Sequence, residues 1–146
     1  MRAEGEPARE ILGIRLSMNE EQVHARLKEI GTFVRAEPPR QEVWKVRDSS
    51  FSHVLIGFAK DTKLRYVTSV AREDREAKAV PYASIGDLKK ADQKGDAKVS
   101  LYNYEWKLAA EKGEPETLVI ALGRDGKHLS SLSLKRLGEG TSAKED

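Results

Sequence analysis

The sequence predicts an α+β protein of two similar units, each a helix followed by a three-stranded antiparallel meander, with the helices on one face of the sheet. Three observations lead there. Residues 51–72 read as an apolar hairpin, and sliding the chain by 64 positions without a gap lays residues 53–72 of it on residues 117–136. Ile56 then meets Ile120, Lys60 and Asp61 meet Arg124 and Asp125, Ser69 meets Ser133, and Arg72 meets Arg136. Trp44-Lys45-Val46 recurs as Trp106-Lys107-Leu108 at an offset of 62. Each sheet stretch is preceded by a segment with helix-start chemistry.

Residues 1–10 are polar and contain Gly5 and Pro7, so they read as a flexible leader, with the first unit spanning 11–78. Ser17 and Asn19 are both acceptable N-caps, Ser17 with Glu20 three residues on. A helix over 19–30 follows, with Val23, Leu27 and Ile30 on one stripe and Gly31 as its C-cap. Thr32, Phe33 and Val34 suit a short strand, and Pro38-Pro39 enforces an extended loop. Residues 42–48, 53–59 and 63–72 then make the first meander. In the first strand Trp44 and Val46 alternate with Lys45 and Arg47; in the third, Leu64, Tyr66 and Val70 share a face.

The charge run over 71–78 reads as a solvated connector. The second unit, 79–137, shares the core and opens with Pro81, Ser84 and Asp87, the signals of a second, shorter helix ending by Gly95. Residues 98–108 place Tyr102, Tyr104, Trp106 and Leu108 on one strand face. Asp125-Gly126 is a strong two-residue hairpin signal, whereas Asp61-Thr62 is weaker because threonine resists positive φ. A disordered tail over 138–146 is expected.

Composition narrows the function classes. The 146 residues are 34% charged and 38% hydrophobic, and no apolar run approaches the ~20 residues of a membrane-spanning helix. Lysine and arginine total 26 against 24 acidic residues, for a net charge of +2, which argues against a protein dominated by a nucleic-acid footprint. Cysteine is absent, excluding disulfides, thiolate metal sites and a cysteine nucleophile. The N-terminus lacks the apolar region of a signal peptide, so the chain is either cytoplasmic or begun after signal removal.

Candidate chemistry is sparse. His24, His53 and His128 occupy no metal-binding or triad-like context, carboxylate pairs such as Glu20-Glu21 fall at helix starts or in loops, and the glycines are scattered. No catalytic residue, cofactor or metal site is assigned. Tyr102, Tyr104 and Trp106 could stack bases, but Trp44 stands at the position equivalent to Trp106, and both are expected to line the core beneath the helices.

The opposite face is then expected to carry Val43, Lys45, Arg47, Lys63, Arg65, Val67, Ser69, Lys107, Leu129, Ser131, Ser133 and Lys135. Open antiparallel sheets often have one solvated face, and one mixing basic and apolar groups suits protein docking. The expected function is a non-enzymatic module that binds a protein partner through this face. Two alternatives stay open: a nucleic-acid or anionic-ligand binder using the same basic face, and a small enzyme with a cleft between the units.

Residues 14–23, Ile-Arg-Leu-Ser-Met-Asn-Glu-Glu-Gln-Val, followed by Leu27, Gly31 and an aromatic-rich meander, resemble the opening of the SmpA/OmlA-type outer-membrane assembly lipoproteins. Those belong to the wider beta-lactamase-inhibitor-protein-like group, which places helices on one face of an antiparallel sheet. The resemblance covers the first third of the chain. It implies an extracytoplasmic, periplasmic or secreted, envelope-assembly module that binds other proteins by its sheet face or edges.

Overall fold

The computed structural model describes residues 7–47, 50–72, 80–96, 98, 101–111, 113–125 and 128–137. Among these, one segment forms an α-helix, α1 (Glu20–Ile30). Its cap is Asn19: the Asn19 side chain accepts from the Gln22 amide at 2.9 Å, and the Gln22 side chain accepts from the Asn19 amide at 3.0 Å. Ser17, the other candidate cap, donates to Glu114 Oε2 at 2.9 Å instead. Val23 and Leu27 form the buried stripe. At Gly31 the helix passes directly into a strand, and a Cβ there would lie 2.1 Å from the Lys45 carbonyl oxygen. Glycine is required by that close approach of two backbones.

The strands are β1 (Gly31–Glu37), β2 (Gln41–Val46), β3 (Phe51–Phe58), β4 (Leu64–Ala71), β5 (Asp92–Gln93), β6 (Tyr102–Leu108), β7 (Thr117–Gly123) and β8 (Ser131–Arg136). All pair antiparallel in one eight-stranded sheet of order β1-β2-β3-β4-β8-β7-β6-β5. The joint is β4 against β8, with Val67 opposite Leu134.

This architecture corrects the expected tandem of helix-plus-meander units. Where a second helix was expected, the chain makes two single 3-10 turns, Tyr82–Ser84 and Leu88–Lys90, followed by the two-residue β5. Gly86 and Asp87 divide the segment, and the Asp87 side chain accepts from the Lys89 amide at 3.0 Å, starting a fresh turn instead of continuing the first. Neither piece reaches the length at which helix propagation repays nucleation. The short strand expected near Thr32 is the seven-residue β1, so the first half contributes four strands.

The gapless offset of 64 also needs revision. Trp44 pairs with Val54 and Trp106 with Val119, which sets the hairpin offset at 65. The offset of 64 equates Ile56, buried on the helix side, with Ile120 on the opposite face. Side chains alternate along a strand, so a slip of one residue exchanges the faces.

One cluster of buried residues forms the core, between the sheet and α1, the 3-10 turns and the N-terminal segment. Trp44 and Trp106 both belong to it, 5% and 4% exposed, and the Trp106 indole donates to the Asp87 carbonyl at 3.1 Å. Tyr82 packs on Tyr104 with ring centroids 4.8 Å apart and donates its hydroxyl to the Asp125 carbonyl at 2.8 Å. Its tip lies over Gly123, where a Cβ would fall 1.8 Å from the hydroxyl oxygen.

The N-terminal segment crosses to the second half of the chain. Arg9 is buried, donating to the carbonyls of Ala109 at 2.5 Å and Pro115 at 3.4 Å and pairing with Glu111 at 3.2 Å. Arg15 pairs with Glu114 at 3.0 Å. Pro7 and Arg9 are thus packed, while residues 1–6 of the expected leader, residues 73–78 of the expected connector and the expected tail over 138–146 lie outside the described residues.

Replacing Trp44 or Trp106 with alanine is expected to cost about 3–5 kcal/mol each, the range for emptying a buried aromatic site, measured by urea denaturation. Near-wild-type midpoints would contradict the core packing. A second expectation concerns alkaline pH. Burial, with the nearby Asp125 charge adding to it, pushes the Tyr82 hydroxyl up to about 12, while an unfolded tyrosine ionises near ~10. Between those values the unfolded chain has lost a proton that the folded one retains, so the Tyr82 contribution is intact below ~10 and is lost as pH rises toward 12. Urea midpoints from pH 9 to 12 should therefore fall less steeply for Tyr82→Phe than for the wild type; parallel curves would refute this.

Candidate interaction face

The helix, the 3-10 turns and the N-terminal segment all pack on the Trp44/Trp106 side, so among the described residues the other face of the sheet has no covering element. Strand register sets out that face in rows. The middle row runs Arg35, Val43, Leu55, Thr68, Ser133, Ile120, Glu105. On one side of it lie Gln41, Gly57, Tyr66, Lys135, Leu118 and Lys107, and on the other Lys45, His53, Val70, Ser131, Leu122 and Asn103. Leu55, Tyr66, Val70, Leu118, Ile120 and Leu122 are half-buried by their neighbours. Together they make an apolar area divided by Ser131, Ser133 and Lys135 of β8, where Thr68 and Ser133 share a 2.8 Å hydrogen bond across the β4–β8 joint.

Charge sits around this area. Lys45, Lys107 and Lys135 are exposed, and none has an ion pair among the described residues. The other charges of the face are neutralised locally: Lys94 pairs with Glu105 at 3.1 Å and Arg35 with Glu37 at 2.7 Å. Burial raises the Tyr66 hydroxyl above its ordinary value; the Arg65 charge opposes this and the Glu37 charge adds to it. Tyr66 also covers Gly57, whose hypothetical Cβ would lie 2.2 Å from Tyr66 Cε2. The ring supplies the cross-strand packing that glycine lacks.

Leaving out the two-residue β5, seven strands spaced about 4.8 Å apart and six to eight residues long give a face of roughly 29 by 20 Å. Its area, about 580 Å², is that of a small interface beside the roughly 800 Å² per partner of a standard one.

The sequence-based site is partly dispersed. Lys45, Lys107, Ser131 and Ser133 do lie on this face, with Val43 and Lys135. Val67 does not: it is fully buried on the helix side, as is Ser69. Leu64 pairs with Phe58 and Tyr66 with Gly57, leaving Arg65 as the extra residue of a bulge. That bulge interrupts the alternation, so Leu64 and Val67 point to the core while Tyr66 and Val70 turn outward, reversing the expected assignment.

Leu129 precedes β8 and is buried, its amide donating to the Val80 carbonyl at 2.9 Å. Arg47 reaches the C-terminal end of α1, donating to the Glu29 carbonyl at 2.7 Å, a favourable place for a cation. Lys63 bridges Asn19 at the opposite end of that helix. The apolar members missed in the sequence were legible at β7, where Thr117–Gly123 is too continuously apolar for a strand with one wet face.

The histidines do not converge. His24 contacts Glu42 at 2.8 Å on the helix side, His53 lies on the open face with its ring 2.9 Å from Ser52 Oγ, and His128 follows the β7 end of the sheet. Among the described residues no group of three or more metal-ligating side chains is present, and no helix is long and apolar enough to cross a membrane. Comparisons with protein-family models, curated proteins and solved structures give no match.

The Gly57–Tyr66 contact has a testable sign. Gly57→Ala should destabilise the wild type by about 1 kcal/mol, because the ring must leave the strand. In a Tyr66→Ala background the same change should be neutral or stabilising by up to ~1 kcal/mol, as expected for replacing a strand glycine. Denaturation of the four members of the cycle measures both; equal effects in the two backgrounds would show that the ring does not cover Gly57.

Proposed function

We propose that the protein is a non-enzymatic binding module that docks a folded protein partner on the open face of its sheet. The single observation that carries this reading is the uncovered sheet face itself, where Leu55, Tyr66 and Val70 on one side of β8 and Leu118, Ile120 and Leu122 on the other flank a seam of hydroxyls, with three lysines that form no ion pair among the described residues. Apolar side chains set among polar and charged ones are the composition of a non-obligate protein interface. The lysines select the sign of the partner. A surface with carboxylates around an apolar centre would meet Lys45, Lys107 and Lys135, accelerating encounter and fixing orientation.

An anionic ligand or nucleic acid is less well served by this face, because three lysines separated by leucine and isoleucine offer no continuous track for phosphates. The envelope setting is supported by the resemblance of residues 14–31 alone and forms part of the same reading.

The test is crosslinking in cell extract with the full chain as bait, followed by repetition with two charge variants. Ile120→Glu places a carboxylate in the apolar area, whereas Lys63→Glu changes a charge at the start of α1. A specific partner should be retained by Lys63→Glu and lost, by at least tenfold in recovered crosslink, with Ile120→Glu. Equal recovery with both variants would dismiss the open face as the docking site, provided that Ile120→Glu keeps the wild-type circular dichroism.

A further inference from the structure

We propose a second binding site, distinct from the open face: the outer edge of β1, with the cleft at its C-terminal end, takes an extended peptide as an added strand. The cleft then holds an apolar residue of that peptide beside a basic one. β1 pairs only with β2, so its other side is a free edge among the described residues. Residues 32–36 are exposed without interruption, and Phe33 and Val34, at 48% and 45%, are two of the three exposed large hydrophobic residues. At the opposite edge, among the described residues, β5 is two polar residues long and leaves only a short stretch of β6 uncovered.

The shape of β1 selects the kind of strand that can join. Between Phe33 and Arg35 the register with β2 shifts, leaving Val34 as the extra residue of a bulge. A bulge bends and twists an edge, a device that discourages pairing with the flat edge of another rigid sheet. A single extended peptide can follow the bend. Backbone hydrogen bonds then supply affinity, and side-chain pockets supply specificity.

The specificity pocket is the cleft of about 540 Å³ beyond the strand's end, bounded by Ala36 and Glu37 of β1 and by Pro38, Pro39, Arg40 and Phe58, with Glu20 and Glu42 on its other side. Pro38, Pro39 and Phe58 give it apolar walls. Its lining sets Glu20, Glu37 and Glu42 against Arg40, and Arg35 pairs with Glu37 at 2.7 Å, which leaves one net negative charge. Arg40 pairs with Glu20 at 3.2 Å, and Glu42 is held by the His24 ring at 2.8 Å and the Trp44 indole at 2.9 Å. Glu42 therefore cannot swing away. A lysine or arginine next to an apolar residue matches both the walls and the sign, whereas an acidic residue would be repelled.

An array of immobilised octapeptides tests this: a constant body of alternating valine and threonine, with the last two positions varied over all residue types, probed with the full-length labelled protein. Signal is expected on peptides that place lysine or arginine beside an apolar residue. For the best soluble peptide, anisotropy titration should show at least a tenfold loss when alternate backbone amides are N-methylated, which blocks strand pairing without touching the protein. The Glu20→Lys/Glu37→Lys double variant should lose at least tenfold for that peptide and gain for its glutamate counterpart.

Ile120→Glu, on the open face, should leave this binding unchanged, so the two sites fail or stand separately. The proposal is overturned if no array member binds, if binding ignores the varied positions or favours acidic ones, or if the N-methylated peptide binds as well as its parent. It is also overturned if sedimentation shows a dimer that Val34→Asp dissociates, because the edge would then belong to a second copy.

Discussion

The pairing of β4 with β8 is the constraint on which the rest of the molecule depends. Each strand is the last of its half, and each would otherwise be a sheet edge with unsatisfied backbone groups. Joined, they turn two meanders into one sheet and bring Val67 and Leu134 together in the middle of the core. Ser69 shows how tightly the joint is specified. Its side chain is fully buried there and donates to the Leu132 carbonyl at 3.4 Å, a weak bond for a hydroxyl with no water to turn to. On the other face the same joint puts Thr68 against Ser133, so polar groups mark both sides of a seam whose flanks are apolar. A register slip would expose Val67 and bury Tyr66, and the burial of one face opposes it.

A single helix covers the first half of that sheet, and the second half is covered by pieces too short to be helices. Tyr82 acts there as the large apolar body, with the hydroxyl satisfied at the Asp125 carbonyl. The N-terminal segment supplies further cover, fastened by guanidinium groups. Burying Arg9 would be costly if it were unpaired, but two carbonyl oxygens and Glu111 meet it, and Glu111 remains partly in water. Because that segment precedes α1 in sequence and packs against the connection between β6 and β7, the two halves of the sheet are tied twice. One tie is the β4–β8 ladder; the other consists of Arg9, Arg15 and Ser17 on residues 109–115.

Much of the local structure was legible because single residues decide it. The Asn19 cap, the Val23/Leu27 stripe, the stop at Gly31 and the core positions of Trp44 and Trp106 follow from propensity and alternation. What alternation could not reveal was its own interruption. The bulge at Arg65 inserts one residue, and every later side chain of β4 changes face, so Val67 and Ser69 were expected outside and Tyr66 and Val70 inside. Thr62 is a related case: its φ of 68° lies where a β-branched residue is disfavoured, and the turn is held by the Lys63 amide on Asp61 Oδ1 and by Arg136 beside that carboxyl. Burial works to raise the Asp61 carboxyl, yet these partners together hold it below its usual range. Tertiary contacts thus fix a turn that the dipeptide alone disfavours. The missing second helix has the opposite cause, a purely local one, since Asp87 found a cap two residues on and ended the turn before it.

Net charge conceals how the surface is divided. A formal charge of +2 describes a nearly balanced molecule, but the balance is not local. The open face carries Lys45, Lys107 and Lys135, while the cleft beyond β1 sets Glu20 and Glu42 against Arg40, its third carboxylate, Glu37, being paired with Arg35. Face-to-face stacking of two copies would bring like charges together around the apolar area, so the same lysines that favour an acidic partner oppose self-association. The Val34 bulge does the corresponding work at the edge, by shape instead of charge. Both exposed apolar regions therefore carry a device against the commonest wrong partner, another copy of the same chain, and each device leaves a particular kind of right partner possible.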